Sequence, residues 1–215
     1  MTGEASPAPR DLVQAVLMAG VRDERLLDAI RATPRAGFVP AEYVALACED
    51  RPVPIPHGQV TTQPSLSAKM IEGLELTGNE HVLEVGTGLA FQTALIARLA
   101  ADVVSIEIWP DLVRQARRNL AHQSVRNVEL RVGDGSCGVP DRAPYDAIIV
   151  SAAFPEVPLP LLEQLRLGGH LVQPIGPGGE EQVMSFRRTA SGLQHRQTLT
   201  WARFVRLHGR YGFSS

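Results

Sequence analysis

From Pro64 onward the apolar positions alternate between two periods. Leu66, Met70, Ile71 and Leu74 recur at helical spacing and predict a helix from Pro64 to Leu76. Thr77-Gly78-Asn79 is a turn, and His81 to Val85 is a short strand punctuated by Gly86-Thr87-Gly88. Phe91 to Ala100 reads as a helix, and Val103 to Ile106 as a strand ending at Glu107. Pro110 to Leu120 reads as a helix with its proline in the first turn, where a missing N–H costs little. Val128 to Val132 and Tyr145 to Val150 read as strands, and the apolar run of the second predicts burial on both faces. Leu159 to Leu165 predicts a helix closed by Gly168-Gly169, followed by a strand from Leu171 to Ile175. Gln182 to Arg188 and Gln197 to Leu207 alternate as a closing antiparallel pair.

The first sixty residues are patterned differently. Residues 1–9 read as a loose tail. Leu12, Val13, Val16 and Leu17 predict a helix over Asp11 to Met18, and Leu26, Leu27 and Ile30 a second from Asp23 to Thr33 ended by Pro34. The stretch 36–64 is irregular. Pro52, Pro54 and Pro56 at alternate positions forbid a regular helix and a central strand. A loop this long inside a compact domain is usually functional.

Strand–helix alternation over 80–175 predicts an α/β fold: a doubly wound, mostly parallel sheet covered by helices, with an antiparallel C-terminal strand pair. Its ligand crevice is expected at the carboxyl ends of the strands. We read 1–215 as a single domain in three parts: N-terminal helices and a loop over 1–63, a ligand-binding core over 64–180 and C-terminal strands over 181–215.

Composition narrows the classes of function. The 215 residues are 44 % hydrophobic and 20 % charged, an ordinary globular balance. A net charge of −2 supplies no basic footprint for nucleic acid and no polybasic membrane patch. Met1 to Arg10 lacks the apolar core of a secretory signal. Cys48 and Cys137 alone cannot build a disulfide framework, so a cytoplasmic protein is expected. The six histidines show no ligand spacing, so no metal is expected.

The candidate chemistry begins at Glu84-Val85-Gly86-Thr87-Gly88, where a strand turns into a helix. Glycines there allow positive φ and close approach of a ligand to the backbone. Glu107, 21 residues beyond Gly86 at the next strand end, is placed to accept both hydroxyls of a ribose. The third glycine of a dinucleotide fingerprint is replaced by Phe91, and no P-loop lysine is present, which disfavours a diphosphate. Asp134 in Gly133-Asp134-Gly135 follows the third strand and is placed to accept an adenine amine. Glycine loop, ribose acid and adenine acid in that order suit S-adenosylmethionine. Read singly, each acid is equally well a plain turn or surface acid.

At this point the chain resembles the protein-L-isoaspartate O-methyltransferases, from about Pro34 to Gly212. The most specific matches are Phe38-Val39-Pro40, Glu49-Asp50-Arg51-Pro52 and His57-Gly58-Gln59-Val60-Thr61-Thr62-Gln63-Pro64, the last resembling the family's signature loop. Tyr145 to Ala153, Pro155-Glu156-Val157-Pro158 and Leu161 to Leu165 before Gly168-Gly169 extend the match. The family's loop usually continues Gly-Ser-Gly-Tyr, whereas this chain has Gly88-Leu89-Ala90-Phe91, and its signature serine is here Thr62.

A monomer is expected. The resemblance implies a Rossmann-like methyltransferase fold. It implies a carboxyl methyltransferase that takes S-adenosylmethionine and acts on isoaspartyl residues of damaged proteins, with no nucleic-acid or membrane partner. Repair would then run through a methyl ester and a succinimide. Thr62 becomes the catalytic residue, its hydroxyl aiming the acceptor oxygen; read alone it is a helix cap. Thr61, Glu84, Gly86, Thr87, Gly88, Glu107, Asp134 and Gly135 become cofactor contacts. Val60, Ser151, Ala152 and Ala153 become substrate contacts. Trp109 and Phe154 are candidates for ligand or core, His57 is a substrate or structural histidine, and Arg203 to Arg210 read as a solvated face. Two other readings stay open: a carboxyl methyltransferase for one dedicated peptide or small acid, and a recognition module that has lost its cofactor.

Overall fold

The structure, a computed structural model, describes residues 10–214. The predicted tail over 1–9 lies outside the described residues. Two short helices open the chain, α1 (Arg10–Met18) and α2 (Glu24–Arg31), the latter capped by Asp23, whose side chain accepts from the N–H groups of Arg25 and Leu26. The predicted irregular stretch contains two 3₁₀ turns, Arg35–Phe38 and Ala41–Leu46, and a miniature hairpin of β1 (Pro54–Ile55) and β2 (Gln59–Val60). Helix α3 (Pro64–Glu72) then leads into the core.

The core runs β3 (His81–Val85), α4 (Phe91–Ala97), β4 (Asp102–Glu107), α5 (Pro110–His122) and β5 (Val128–Val132). The chain crosses to β6 (Tyr145–Val150), α6 (Leu159–Gln164) and β7 (Leu165–Ile175). It closes with β8 (Glu181–Thr189) and β9 (Gly192–Ala202). One seven-stranded sheet results, ordered β5-β4-β3-β6-β7-β8-β9, parallel through β7 and antiparallel in its last two pairings. Both faces are covered, and the strands show why. In β6, Ala147 and Ile149 join the core under α1 to α5, while Ile148 and Val150 join the core under α6.

The sheet order reverses at β3. From β3 the chain winds outward to β4 and β5, then returns to lay β6 on the other side of β3. Val85 pairs with both Ile106 and Val150, so three strands end level and the crevice opens above them.

Several predicted boundaries shift: α3 ends at Glu72 rather than Leu76, α4 at Ala97 rather than Ala100, and the last strand is Gly192–Ala202 rather than Gln197 to Leu207. The most informative difference precedes β7. The helix before β7 ends at Gln164, and Gly168 and Gly169 lie inside the strand. They form a bulge: the partner of β6 jumps from Leu165 to His170, Gly168 has φ +83°, and a Cβ on Gly169 would stand 2.7 Å from the carbonyl of Asp146. The extra residues need glycine's conformational freedom, and in sequence that requirement is indistinguishable from a helix stop.

Candidate functional site

A cavity of about 360 Å³ occupies the crevice, within the size range of small-molecule sites. Two sequence elements wall it. The turn after β3 supplies Gly86 to Phe91, and the hairpin loop before α3 supplies Gln59 to Thr62.

The glycine turn owes its shape to backbone bonds. Gly86 has φ +97° and donates its N–H to the carbonyl of Ile106. The turn also needs small residues where strands meet, because a Cβ on Gly86 would lie 3.3 Å from Ser151 Cβ, and one on Gly135 would strike Val85 at 2.5 Å. Ala90 also adopts the left-handed conformation, at φ 72°, which costs a residue with a Cβ roughly 1–2 kcal/mol. Its methyl group is fully buried in the core, which offsets part of that strain by about 0.8 kcal/mol.

Glu107 is oriented by two backbone donors. Gly88 N–H reaches Oε2 at 2.9 Å and Trp109 N–H reaches Oε1 at 3.2 Å, and the residue lines the cavity. A carboxylate fixed in this way suits a vicinal diol.

Asp134 stands beside the cavity lining. Its side chain accepts from Ser136 N–H and Oγ–H, from Arg210 N–H and from the Cys137 thiol, and the residue does not line the cavity. Burial draws its carboxyl upward, but the hydrogen bonds from Arg210, Ser136 and Cys137 outweigh that and hold it below the usual range. These bonds tie the turn after β5 to the C-terminal segment, and the neighbouring Gly135 lines the cavity.

Glu84 differs from its expected place. It is 0 % exposed beneath the glycine turn, where it accepts from Thr93, Ser105 and Gln92 and does not reach the cavity. Burial raises its carboxyl to about 7, against the three hydrogen bonds. The folded chain therefore holds this proton to higher pH than the unfolded chain. Stability should fall as pH rises from about 4.5 to about 7. Thermal melts across that window should show this slope in the wild type and lose it in Glu84→Gln.

The signature loop is held from below by a residue that sequence reasoning passed over. Arg35 is 3 % exposed. Its guanidinium donates to the carbonyls of Ala47, Glu49 and Arg51 and to Thr61 Oγ1. Burial lowers its pKa to about 10, which still leaves it charged at neutral pH. Thr61 lines the cavity, but its hydroxyl oxygen already accepts from Arg35 and from Val53 N–H. Thr62 lines the cavity with no described hydrogen bond to its hydroxyl. It is not a cap: the N-cap of α3 is Gln63, without a side-chain cap bond. Val60 stands exposed at the lip of the cavity.

The far wall is Ser151 and Ala152, as expected, but not Ala153. Ala153 is buried, and its N–H and carbonyl pair with Val205 and Leu207, so it serves the fold. Phe154 is likewise absent from the lining, whereas Trp109 is part of it. His57 does not line the cavity. It stacks on Trp109 at 3.9 Å and bonds to Asp111 at 2.9 Å, clasping the hairpin tip to the start of α5. Arg206 and His208, read as a solvated face, stand at the rim. Gln92 was also missed, although its place in the first turn after a glycine loop aims it at the cavity. Among the described residues, no three His, Cys, Asp or Glu side chains group as a metal site, and no helix is long and apolar enough to cross a membrane.

Comparison with known proteins agrees with this architecture. The family model for protein-L-isoaspartate(D-aspartate) O-methyltransferase matches residues 8–212. A protein-L-isoaspartate O-methyltransferase of Methanoculleus marisnigri is 45 % identical over 98 % of this chain and 97 % of its own. One of Anaeromyxobacter dehalogenans is 48 % identical over 92 % and 96 %. A solved protein-L-isoaspartate O-methyltransferase superposes with TM-score 0.81 at 28 % identity, covering 95 % of this chain and 67 % of its own. A Plasmodium falciparum structure solved with S-adenosyl-L-homocysteine shares the fold at TM-score 0.79 and 20 % identity, over 94 % and 99 %. With a family model spanning nearly its whole length and relatives this similar, the chain belongs to the protein-L-isoaspartate O-methyltransferase family.

Proposed function

We propose that the cavity is where this chain carries out the reaction of its family, methylation of the free carboxylate of isoaspartyl residues in damaged proteins and peptides. The observation that carries the assignment is that the glycine turn and the signature loop line one cavity at the point where the sheet order reverses. The chain is an S-adenosylmethionine-dependent carboxyl methyltransferase, and its residues fit that cofactor: Gly86 and Gly88 give the close approach and Glu107 the diol acceptor. When bound, S-adenosylmethionine supplies a sulfonium-borne methyl group, which passes to a carboxylate oxygen as the S–C bond breaks and the O–C bond forms.

No general base is required, because the acceptor is already ionised at neutral pH. What the residues contribute is orientation and exclusion of water. Phe38, Ile55, Val85, Leu89 and Phe91 make much of the wall apolar. An anion and a cation that neutralise each other in the transition state are favoured by that low-dielectric setting. Thr62 donates to the acceptor carboxylate, Val60 and Ala152 flank the peptide, and Thr87 and Gly135 complete the cofactor contacts. The two free cysteines, Cys48 and Cys137, support a cytoplasmic location, and we take the chain to act as a monomer.

Two measurements test this. Methyl transfer should occur to an isoaspartyl peptide and not to its aspartyl twin; equal transfer to both would favour a general carboxyl methyltransferase. Calorimetry with S-adenosylhomocysteine should show Glu107→Ala weakening binding by about 1–3 kcal/mol, the cost of leaving a ribose diol unpaired. Unchanged affinity in that variant would remove Glu107 from the cofactor site. A dedicated small acceptor or a recognition module is not favoured, since the relatives carry the isoaspartyl name over nearly all of their length.

A further inference from the structure

The buried carboxylate of Glu84 connects to the cavity through Gln92. The Gln92 Nε2 amide stands 3.1 Å from Glu84 Oε1 and 2.8 Å from Ser151 Oγ, while its Oε1 is buried without a partner. The other carboxylate oxygen, Oε2, accepts hydroxyl protons from Thr93 and Ser105. Above its pKa of about 7 the Glu84 carboxylate is ionised and has only lone pairs to offer, so at mildly alkaline pH Gln92 must turn its NH₂ toward it. The same NH₂ then donates to Ser151 Oγ, which must accept. The single proton of Ser151 is left to point elsewhere, and Ser151 lines the cavity.

We infer that Glu84 and Gln92 are positioning residues that fix the hydrogen-bond polarity of Ser151, making its hydroxyl a donor to the substrate carboxylate opposite Thr62. Two donors on facing walls, one from each loop, hold both oxygens of a carboxylate and fix which lone pair meets the methyl group. Ser151 takes no proton and gives none away; methyl transfer proceeds with the charge balance stated above.

The inference rests on the methyl-transfer reading, and its test reads a coupling that reading alone does not require. At mildly alkaline pH, Ser151→Ala should lower kcat/KM for an isoaspartyl peptide roughly 10–100-fold while S-adenosylhomocysteine binds within about threefold of the wild type. Glu84→Gln should do the same by inverting the polarity. Its new NH₂ must face Gln92, whose amide then flips to present Oε1. Ser151 donates inward to that oxygen and offers the cavity only lone pairs. In a Ser151→Ala background, Glu84→Gln should cost nothing further.

Should Glu84→Gln fail to fold, Gln92→Met removes the link while leaving Glu84 its two hydroxyl donors. It should lower kcat/KM several-fold in the wild type and leave Ser151→Ala unchanged. Ser151→Ala transferring methyl at the wild-type rate would overturn the inference. So would effects of Ser151 and its partners that multiply, or a Glu84→Gln loss that appears in cofactor affinity. A wild-type enzyme that methylates no isoaspartyl peptide would fail the parent reading instead.

Discussion

Replacing Arg35 by methionine is expected to cost about 2–4 kcal/mol of stability and at least roughly 100-fold in kcat/KM. The variant keeps side-chain length and apolar bulk but removes every donor. Three carbonyls at 47, 49 and 51 and the Thr61 hydroxyl lose a shared partner, while Thr61 keeps Val53 N–H and the Glu49 carbonyl keeps Arg51 N–H. The loop's other ties are few: two residue pairs, Pro54 with Val60 and Ile55 with Gln59, the His57–Asp111 clasp at its tip and Asp50 at its junction with α3. The large effect on rate comes from reach: the loop carries Gln59 to Thr62 to the cavity wall, and a shift of about 1 Å in an aligning group is enough for a 100-fold loss. Arg35→Lys should fall between, since one ammonium cannot span four acceptors. Denaturant titration and steady-state methylation check both effects. Wild-type stability together with wild-type rate in Arg35→Met would show that the loop organises itself.

Arg35 also shows where the sequence stops being legible. The βαβ core was readable because burial on one face or two imposes periods of 3.6 and 2, and Val82, Val103 and Ile149 obey them whatever surrounds them. Glu107 was readable for a similar reason: a strand end and a glycine turn fix its place locally. Arg35 and Gln92 act through partners 8 to 59 residues away on other elements, and no local spacing encodes those contacts. The hydrogen bonds of Asp134 were not legible, because an acid at a strand end is equally able to face a ligand or to cap a turn. The deciding partner, Arg210 N–H, arrives 76 residues later with the C-terminal segment. Glu84, which the resemblance makes a cofactor contact, lies away from the cavity because the period of two in β3 turns it toward Ser105 and Thr93.

Thr62→Val should bind S-adenosylhomocysteine normally and methylate roughly 10–100-fold more slowly, a positioning loss of about 1.4–2.8 kcal/mol. The isosteric change keeps the β-branch and deletes only the hydroxyl. Whether that hydroxyl is needed by the helix is decided by who occupies the N-terminus of α3. The Asp50 carboxylate does: it accepts from Ser65 N–H at 2.8 Å and from the Gln63 amide at 2.8 Å. Asp50 thus supplies, from the loop, the acceptor that a capping threonine would offer, so removing the Thr62 hydroxyl should leave thermal stability within about 0.5 kcal/mol. Thr62→Ser should keep the rate, since the donor survives and χ1 has more freedom. The separation is sharp because capping predicts a fall in melting temperature at constant rate, and orientation of the acceptor predicts the reverse. If valine methylates as fast as threonine, the acceptor is aligned from the other wall alone, and Ser151 becomes the residue on which orientation depends.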